Sequence, residues 1–180
     1  MNDALQPGSP APDFELADAH DEPHRLSEVA TGAPATVVVW TCNHCPYALA
    51  WHDRIVAAAE DYRDRGVRFL AVNSNDAERY PADSLEAMRE RVERERWPFP
   101  YLHDPSQDAA RAFGAEVTPH VFVLDRELRL RYSGAPDGDH SDPGQNAAWL
   151  REALDHLLAD REPPRQATEP VGCSVKWKRG

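Results

Sequence analysis

A β-branched and aromatic run, Thr36-Val37-Val38-Val39-Trp40, stands just ahead of Cys42-Asn43-His44-Cys45-Pro46, and a helical pattern follows. An apolar run without alternation reads as a strand buried on both faces. Beyond the cysteines, Leu49, Ile55, Val56, Ala59 and Tyr62 recur near helical spacing as far as Arg65-Gly66, and glycine is the expected stop. Pro46 suits a first helical turn, where N–H groups lack partners anyway. A strand covered on both faces needs helices on both sides of a sheet. The junction therefore predicts an α/β fold with the cysteines at the carboxyl end of a central strand, the usual location of sites in open α/β sheets.

The remaining pattern agrees. Residues 7–12 form a Pro/Gly/Ser-rich arm, 14–16 a short strand and 26–29 one helical turn. Residues 67–73 read as a strand, 82–96 as a helix whose charged residues mark a solvated face, and 97–102 as extended chain. A short helix at 107–113 ends at Gly114, 117–125 is a buried strand, and 128–132 returns after a hairpin turn at 125–127. A polar loop, 134–144, leads to a last amphipathic helix at 146–159. Strand–helix alternation implies a parallel core and the final hairpin an antiparallel edge, so the sheet is mixed, with helices on both faces. One domain is expected over residues 1–161, with an N-terminal hairpin extension. An extended, Pro-containing tail, 162–180, is expected to pack on or beside it.

The 180 residues carry a formal net charge of −11, which disfavours nucleic acid and anionic lipid as partners. No stretch approaches the ~18 apolar residues of a membrane span. The first residues, Met-Asn-Asp-Ala-Leu, lack a basic segment followed by an apolar one, so no secretory signal is read and the chain is expected to be cytoplasmic.

Three cysteines, Cys42, Cys45 and Cys173, are too few for a disulfide framework. A Cys-x-x-Cys pair suggests redox chemistry or half of a metal site. A structural zinc site wants four ligands, and only Cys173 and scattered histidines are available to complete one, so no metal and no cofactor are expected. With Cys42 at the start of the helix and Cys45 one turn inside, free N–H groups and the helix dipole would hold Cys42 as an exposed thiolate. Cys42 is then the attacking sulfur and Cys45 the resolving one, with Asn43, His44 and Trp40 as modulating neighbours. Thr118-Pro119 opens a later strand, where proline is tolerated. A cis bond there would offer the Thr118 backbone to an extended substrate.

Trp40-Thr41-Cys42-Asn43-His44-Cys45-Pro46, a helix and then Val117-Thr118-Pro119 together resemble the thioredoxin superfamily over residues 12–159. Ala11-Pro12-Asp13-Phe14-Glu15-Leu16 and Leu26-Ser27-Glu28-Val29 are similar to its redoxin branch, the alkyl hydroperoxide reductase/thiol-specific antioxidant group and the thioredoxin-like disulfide reductases. The resemblance implies a thioredoxin fold in which Pro119 is a cis-proline facing the dithiol, with Thr118 and Pro119 binding substrate. It also implies thiol–disulfide exchange with protein or small-molecule disulfides and thiols, sustained by an unidentified reductant. Asn43-His44 stand where typical thioredoxins have Gly-Pro, and a histidine before the second cysteine resembles oxidising disulfide enzymes.

Two alternatives accompany this reading. Cys45-Pro46 resembles the peroxidatic motif of peroxiredoxins, although Cys42 replaces its threonine and no arginine stands at Thr118-Pro119. A non-catalytic binding module is the other. In the tail, Val171-Gly172-Cys173-Ser174-Val175-Lys176-Trp177 is apolar enough to dock. Cys173 is either a spare cysteine on a docked terminal strand or a third redox thiol. His20, His24, His52, His103, His120, His140 and His156 have no ligand spacing, and His120 alone adjoins the expected cleft.

Overall fold

The structure is a computed structural model describing residues 5–180; the first four residues of the leader reading and of the 1–161 domain lie outside it. The described elements run β1 (Glu15–Ala17), β2 (Pro23–Arg25), α1 (Leu26–Val29), β3 (Ala35–Trp40), α2 (Pro46–Arg63) and β4 (Arg68–Asn73). A 3-10 turn (Pro81–Asp83) leads to α3 (Leu85–Glu95), β5 (Tyr101–His103), α4 (Asp108–Phe113), β6 (Val117–Thr118) and β7 (His120–Asp125). The last are β8 (Leu130–Gly134), α5 (Ala148–Leu158) and β9 (Cys173–Ser174).

The central sheet has the order β5-β4-β3-β7-β8. β3, β4 and β5 are parallel, and β7 pairs antiparallel with both β3 and β8. β1 and β2 form a separate antiparallel pair. This is the thioredoxin-like fold, a mixed sheet with helices on both sides.

Every residue of β3 is buried, because alternate side chains feed two cores. Val37 and Val39 pack with Trp51 and Ile55 of α2, Met88 of α3 and Leu150 and Leu154 of α5. Val38 and Trp40 pack on the opposite face with Leu26 of α1, Phe113 of α4 and Phe122 and Leu124 of β7. Tilted and edge-on ring contacts join Trp40 to Phe113 and Phe122, with centroids 4.9 and 5.5 Å apart.

Local chemistry moves several boundaries. The predicted strand 117–125 is broken into β6 and β7, because Pro119 has no N–H for the ladder. The helix expected at 82–96 starts at Leu85, where Ser84 caps it by accepting from the Ala87 N–H at 3.1 Å. Its solvated-face reading fails at Arg91, which is buried.

The tail returns to the sheet end. β9 pairs antiparallel with β6, with Thr118 opposite Cys173, and Val175 is buried. Glycine is required at position 172, since a Cβ there would overlap the Thr118 carbonyl oxygen. Among the described residues, no helix is long and apolar enough to cross a membrane.

Phe113 is fully buried between β7 and the N-terminal arm, touching Phe14, Trp40 and Phe122. Phe113→Ala is expected to lower unfolding free energy by about 3–5 kcal/mol, read as a lower urea midpoint with an unchanged slope.

Candidate active site

Pro46 fixes where α2 begins. It occupies the first turn, and Cys45 is the N-cap, extended at φ −78° and ψ 123°. A residue before proline is kept out of the helical region, so the helix cannot start sooner. This corrects the expected placement: Cys42 lies upstream, in the connection from β3, and Cys45 meets the free N–H end of the helix. A second correction concerns exposure. Cys42 and Cys45 are 1 % and 0 % exposed, so neither sulfur is presented to solvent.

Both sulfurs converge on Thr118. Cys42 Sγ lies 3.3 Å from Thr118 Oγ1, and the Cys45 thiol donates to the Thr118 carbonyl oxygen at 3.2 Å. The Thr118–Pro119 peptide is cis. All three cysteines are reduced, and the partly exposed Cys173 packs against the small cluster that Cys42, Cys45 and Ala48 form, within reach of Cys45. The Thr118 backbone, expected to meet an extended substrate, is paired with the chain's own Cys173.

The two thiols of the reduced pair are pushed in opposite directions. The Cys42 thiol beside it, then the Cys173 thiol and the Ala48 amide of the first helical turn, pull Cys45 down to about 4, against the opposing effect of burial. Cys42 moves the opposite way, raised by its contact with Cys45, by burial and by the Asp83 carboxylate. Protonated, Cys45 can donate to Thr118; ionised, it accepts from both neighbouring thiols. The electrostatics thus favour thiolate at Cys45, reversing the expected order.

The loop between the cysteines is locked by residues that sequence reasoning missed. The fully buried Asp83 carboxylate accepts from the Asn43 N–H at 2.7 Å and from Asn73 and Asn75 Nδ2 at 3.1 and 3.0 Å. His44 Nδ1 approaches it to 2.6 Å, at ion-pair distance but without hydrogen-bond alignment, while the His44 ring stacks on Tyr80. Arg91 donates to the Cys42 carbonyl and to Asn43 Oδ1, both at 3.0 Å, and Tyr101 OH donates to the same Asn43 oxygen at 2.9 Å. A signal for Arg91 existed: it follows Met88 at i+3, on the apolar stripe of α3.

Among the described residues, Cys42, His44 and Asp83 bring ligand atoms within 4.8 Å of one another and could hold a cation. The hydrogen bonds already converging on Asp83 describe a structural hub more fully than a ligand set.

Trp40 does not join the site. Its indole is fully buried in the core and donates to Ser74 Oγ at 2.9 Å, which corrects its expected role as a neighbour of the sulfurs. His120 is also buried: Nδ1 accepts the Glu116 N–H at 3.2 Å and the ring stacks on Phe122. Burial lowers it to about 4.

A five-stranded mixed sheet carrying cysteines at the head of α2 and a proline opposite them defines a thioredoxin-like, redoxin-type protein. The chain belongs to the AhpC/TSA family, which it matches over residues 7–133. It is similar along its length to an uncharacterized conserved protein from Geobacillus kaustophilus, at 39 % identity and TM-score 0.93, covering 99 % of this chain and 95 % of that one. A hypothetical protein, SMc02350, from Sinorhizobium meliloti 1021 is 35 % identical with TM-score 0.92, covering 99 % and 98 % of the two chains. The thiol-disulfide oxidoreductase ResA of Geobacillus thermodenitrificans (strain NG80-2) is 27 % identical over 130 residues, which are 71 % of this chain and 68 % of that protein.

Asp83→Ala removes the acceptor from buried N–H groups of Asn73 and Asn75 and from the part-buried Asn43 N–H. At about 1–3 kcal/mol for each of the two buried groups, the expected loss is at least about 2 kcal/mol in urea unfolding. His120 generates a pH dependence. Its native value, about 4, lies below the ordinary 6.5, so between these values the unfolded chain binds more protons and stability falls on acidification. The loss approaches about 3 kcal/mol by pH 4. His52 is lowered to about 4 as well, chiefly by burial, so His120→Gln should make that limb of the stability–pH curve shallower by the His120 share rather than flatten it; an unchanged limb would refute the assignment.

Proposed function

We propose that the chain is a thiol–disulfide oxidoreductase whose working group is the Cys42–Cys45 dithiol. The observation that carries this reading is a pair of reduced cysteines whose sulfurs converge on Thr118, with Cys45 as the N-cap of α2. Membership in a redoxin family supports it, as does similarity to a protein named as a thiol-disulfide oxidoreductase.

The Cys45 thiolate attacks one sulfur of a partner disulfide, and the other partner sulfur leaves as a thiolate. Cys42 then gives up its proton and attacks Cys45 Sγ, expelling the second partner sulfur. The pair ends as a disulfide and the partner as two thiols; two electrons have moved. The helix end and the neighbouring thiols stabilise the first thiolate. Asn43, held by Asp83, Arg91 and Tyr101, keeps the intervening loop in register. Protein or small-molecule disulfides are the substrates in this proposal, with a separate reductant regenerating the dithiol. Thr118 supplies Oγ1 to Cys42 and its carbonyl to Cys45; it and Pro119 are the proposed substrate-binding wall, on which Cys173 of the tail now lies.

One observation favours a second reading. Cys45 followed by Pro46 at the head of a helix is a low-pKa cysteine suited to attack a peroxide. Sulfenic acid formed on Cys45 would condense with Cys42, releasing water and closing the same disulfide.

Titration in graded glutathione buffers, followed by mass spectrometry of alkylated protein, should give a two-electron transition confined to Cys42 and Cys45. A midpoint near about −270 mV fits a reductase and one near about −120 mV an oxidant. Cys45→Ser should abolish insulin-disulfide reduction, and full activity in that variant would sink the reading. Stoichiometric peroxide consumption with dithiothreitol, lost in Cys45→Ser, would select the peroxidase.

A further inference from the structure

The buried pair poses an access problem that the tail resolves. Cys42 and Cys45 have no exposed surface to meet a bulky partner. The segment over them is held firmly. The Val175 N–H donates to the Glu116 carbonyl at 3.0 Å and the Asp76 N–H to the Lys176 carbonyl at 2.8 Å. The Lys176 N–H donates to Asn75 Oδ1 at 2.8 Å. Gln107 bonds both the Lys176 carbonyl and the Lys178 N–H at 3.0 Å. Arg111 lies over the Trp177 ring at 4.5 Å. Lifting this segment would break all of these together.

The same segment carries the one partly exposed thiol, Cys173, in contact with Cys45. Its position is built in: β9 pairs Cys173 with Thr118, and Gly172 allows the strands to approach because no Cβ meets the Thr118 carbonyl. Cys173 thus sits where an extended substrate would pair with Thr118, its sulfur against Cys45.

We propose that Cys173 is the outer sulfur of a three-thiol relay, through which an external dithiol protein exchanges electrons with the buried Cys42–Cys45 pair. The inference rests on the redox role proposed for that pair. Starting from the Cys42–Cys45 disulfide, Cys173 loses its proton and attacks Cys45 Sγ. The Cys45–Cys173 bond forms, the Cys42–Cys45 bond breaks, and Cys42 leaves as a thiolate that takes up a proton. A thiolate of the partner dithiol attacks Cys173 Sγ, releasing Cys45. The second partner thiol then attacks the mixed disulfide, so the partner leaves oxidised and Cys173 is a thiol again. Two electrons have passed inward. The reverse sequence passes them outward to a partner disulfide.

Geometry favours each exchange. Cys45 is within hydrogen-bond reach of both other thiols. Cys173 is raised to about 11 in the reduced protein, first by burial and then by its contact with Cys45. Once Cys45 is in a disulfide it carries no negative charge, and that second opposition disappears.

Two variants test the relay, with circular dichroism checking that each folds. Cys42→Ser, treated with diamide, should form an intramolecular Cys45–Cys173 disulfide, identified by non-reducing peptide mapping. Two free thiols, or only intermolecular dimers, would overturn the proposal. Oxidised Cys173→Ser should be reduced by thioredoxin about tenfold more slowly than wild type, or slower still, because access limits exchange. Equal rates would overturn the relay while leaving the pair intact. Failure of the wild type to form any Cys42–Cys45 disulfide in glutathione buffers would remove the pair reading and the relay with it.

Discussion

A carboxylate with no exposure to water, Asp83, is the constraint on which the site depends. Burying an ionised group is expensive unless it is well hydrogen-bonded. Here the satisfying groups come from three places: the Asn43 amide between the cysteines, and the side chains of Asn73 and Asn75 at and beyond the end of β4. Each donor that Asp83 needs is therefore also a tether. Arg91 closes the frame from α3 by binding the Cys42 carbonyl and Asn43. The cysteine loop is held to the sheet by polar contacts around a fully buried carboxylate, where an unpaired group is costly.

That frame decides where negative charge can reside. Asp83 stands near Cys42 and disfavours a second anion there. Cys45 faces the helix end and two thiol donors. Lowering one thiol from 9.0 to about 4 means that the native reduced protein binds fewer protons than the unfolded chain between those values, so this site's contribution to stability grows as pH rises across that interval. Stabilising the thiolate also stabilises the dithiol relative to the disulfide, which makes the disulfide the stronger oxidant. The direction follows from helix N-terminus and neighbour alone, and it runs opposite to the burial that shields the pair.

Much of the fold was legible because its signals are local. The unalternating run of β3 required cover on both faces, and the two cores divide its side chains accordingly. The strand–dithiol–helix junction and the stop at Gly114, at φ 71°, could be read within a few residues. The misplacement of the helix start was avoidable, since Pro46 itself excludes Cys45 from the helix. Asp83 and Arg91 were harder. Charge usually marks solvent, and only the tertiary arrangement gathers the donors and acceptors that let them stay inside. The approach of Cys173 to Cys45 was out of reach in detail, because it rests on the register of the two-residue strand β9 and on Gly172 clearing a carbonyl far away in sequence.

The tail also alters the field at its own sulfur. The protein as a whole carries a formal charge of −11, and such a surface repels anionic partners at long range. Lys176, Lys178 and Arg179 nevertheless cluster just after Cys173, and Lys176 favours the Cys173 thiolate. At physiological salt, exposed charges are screened beyond about 8 Å, so at that sulfur the adjacent Lys176 ammonium counts for more than the net charge of the whole surface. The tail thus lays a partly exposed sulfur and a neighbouring lysine over the buried Cys42 and Cys45.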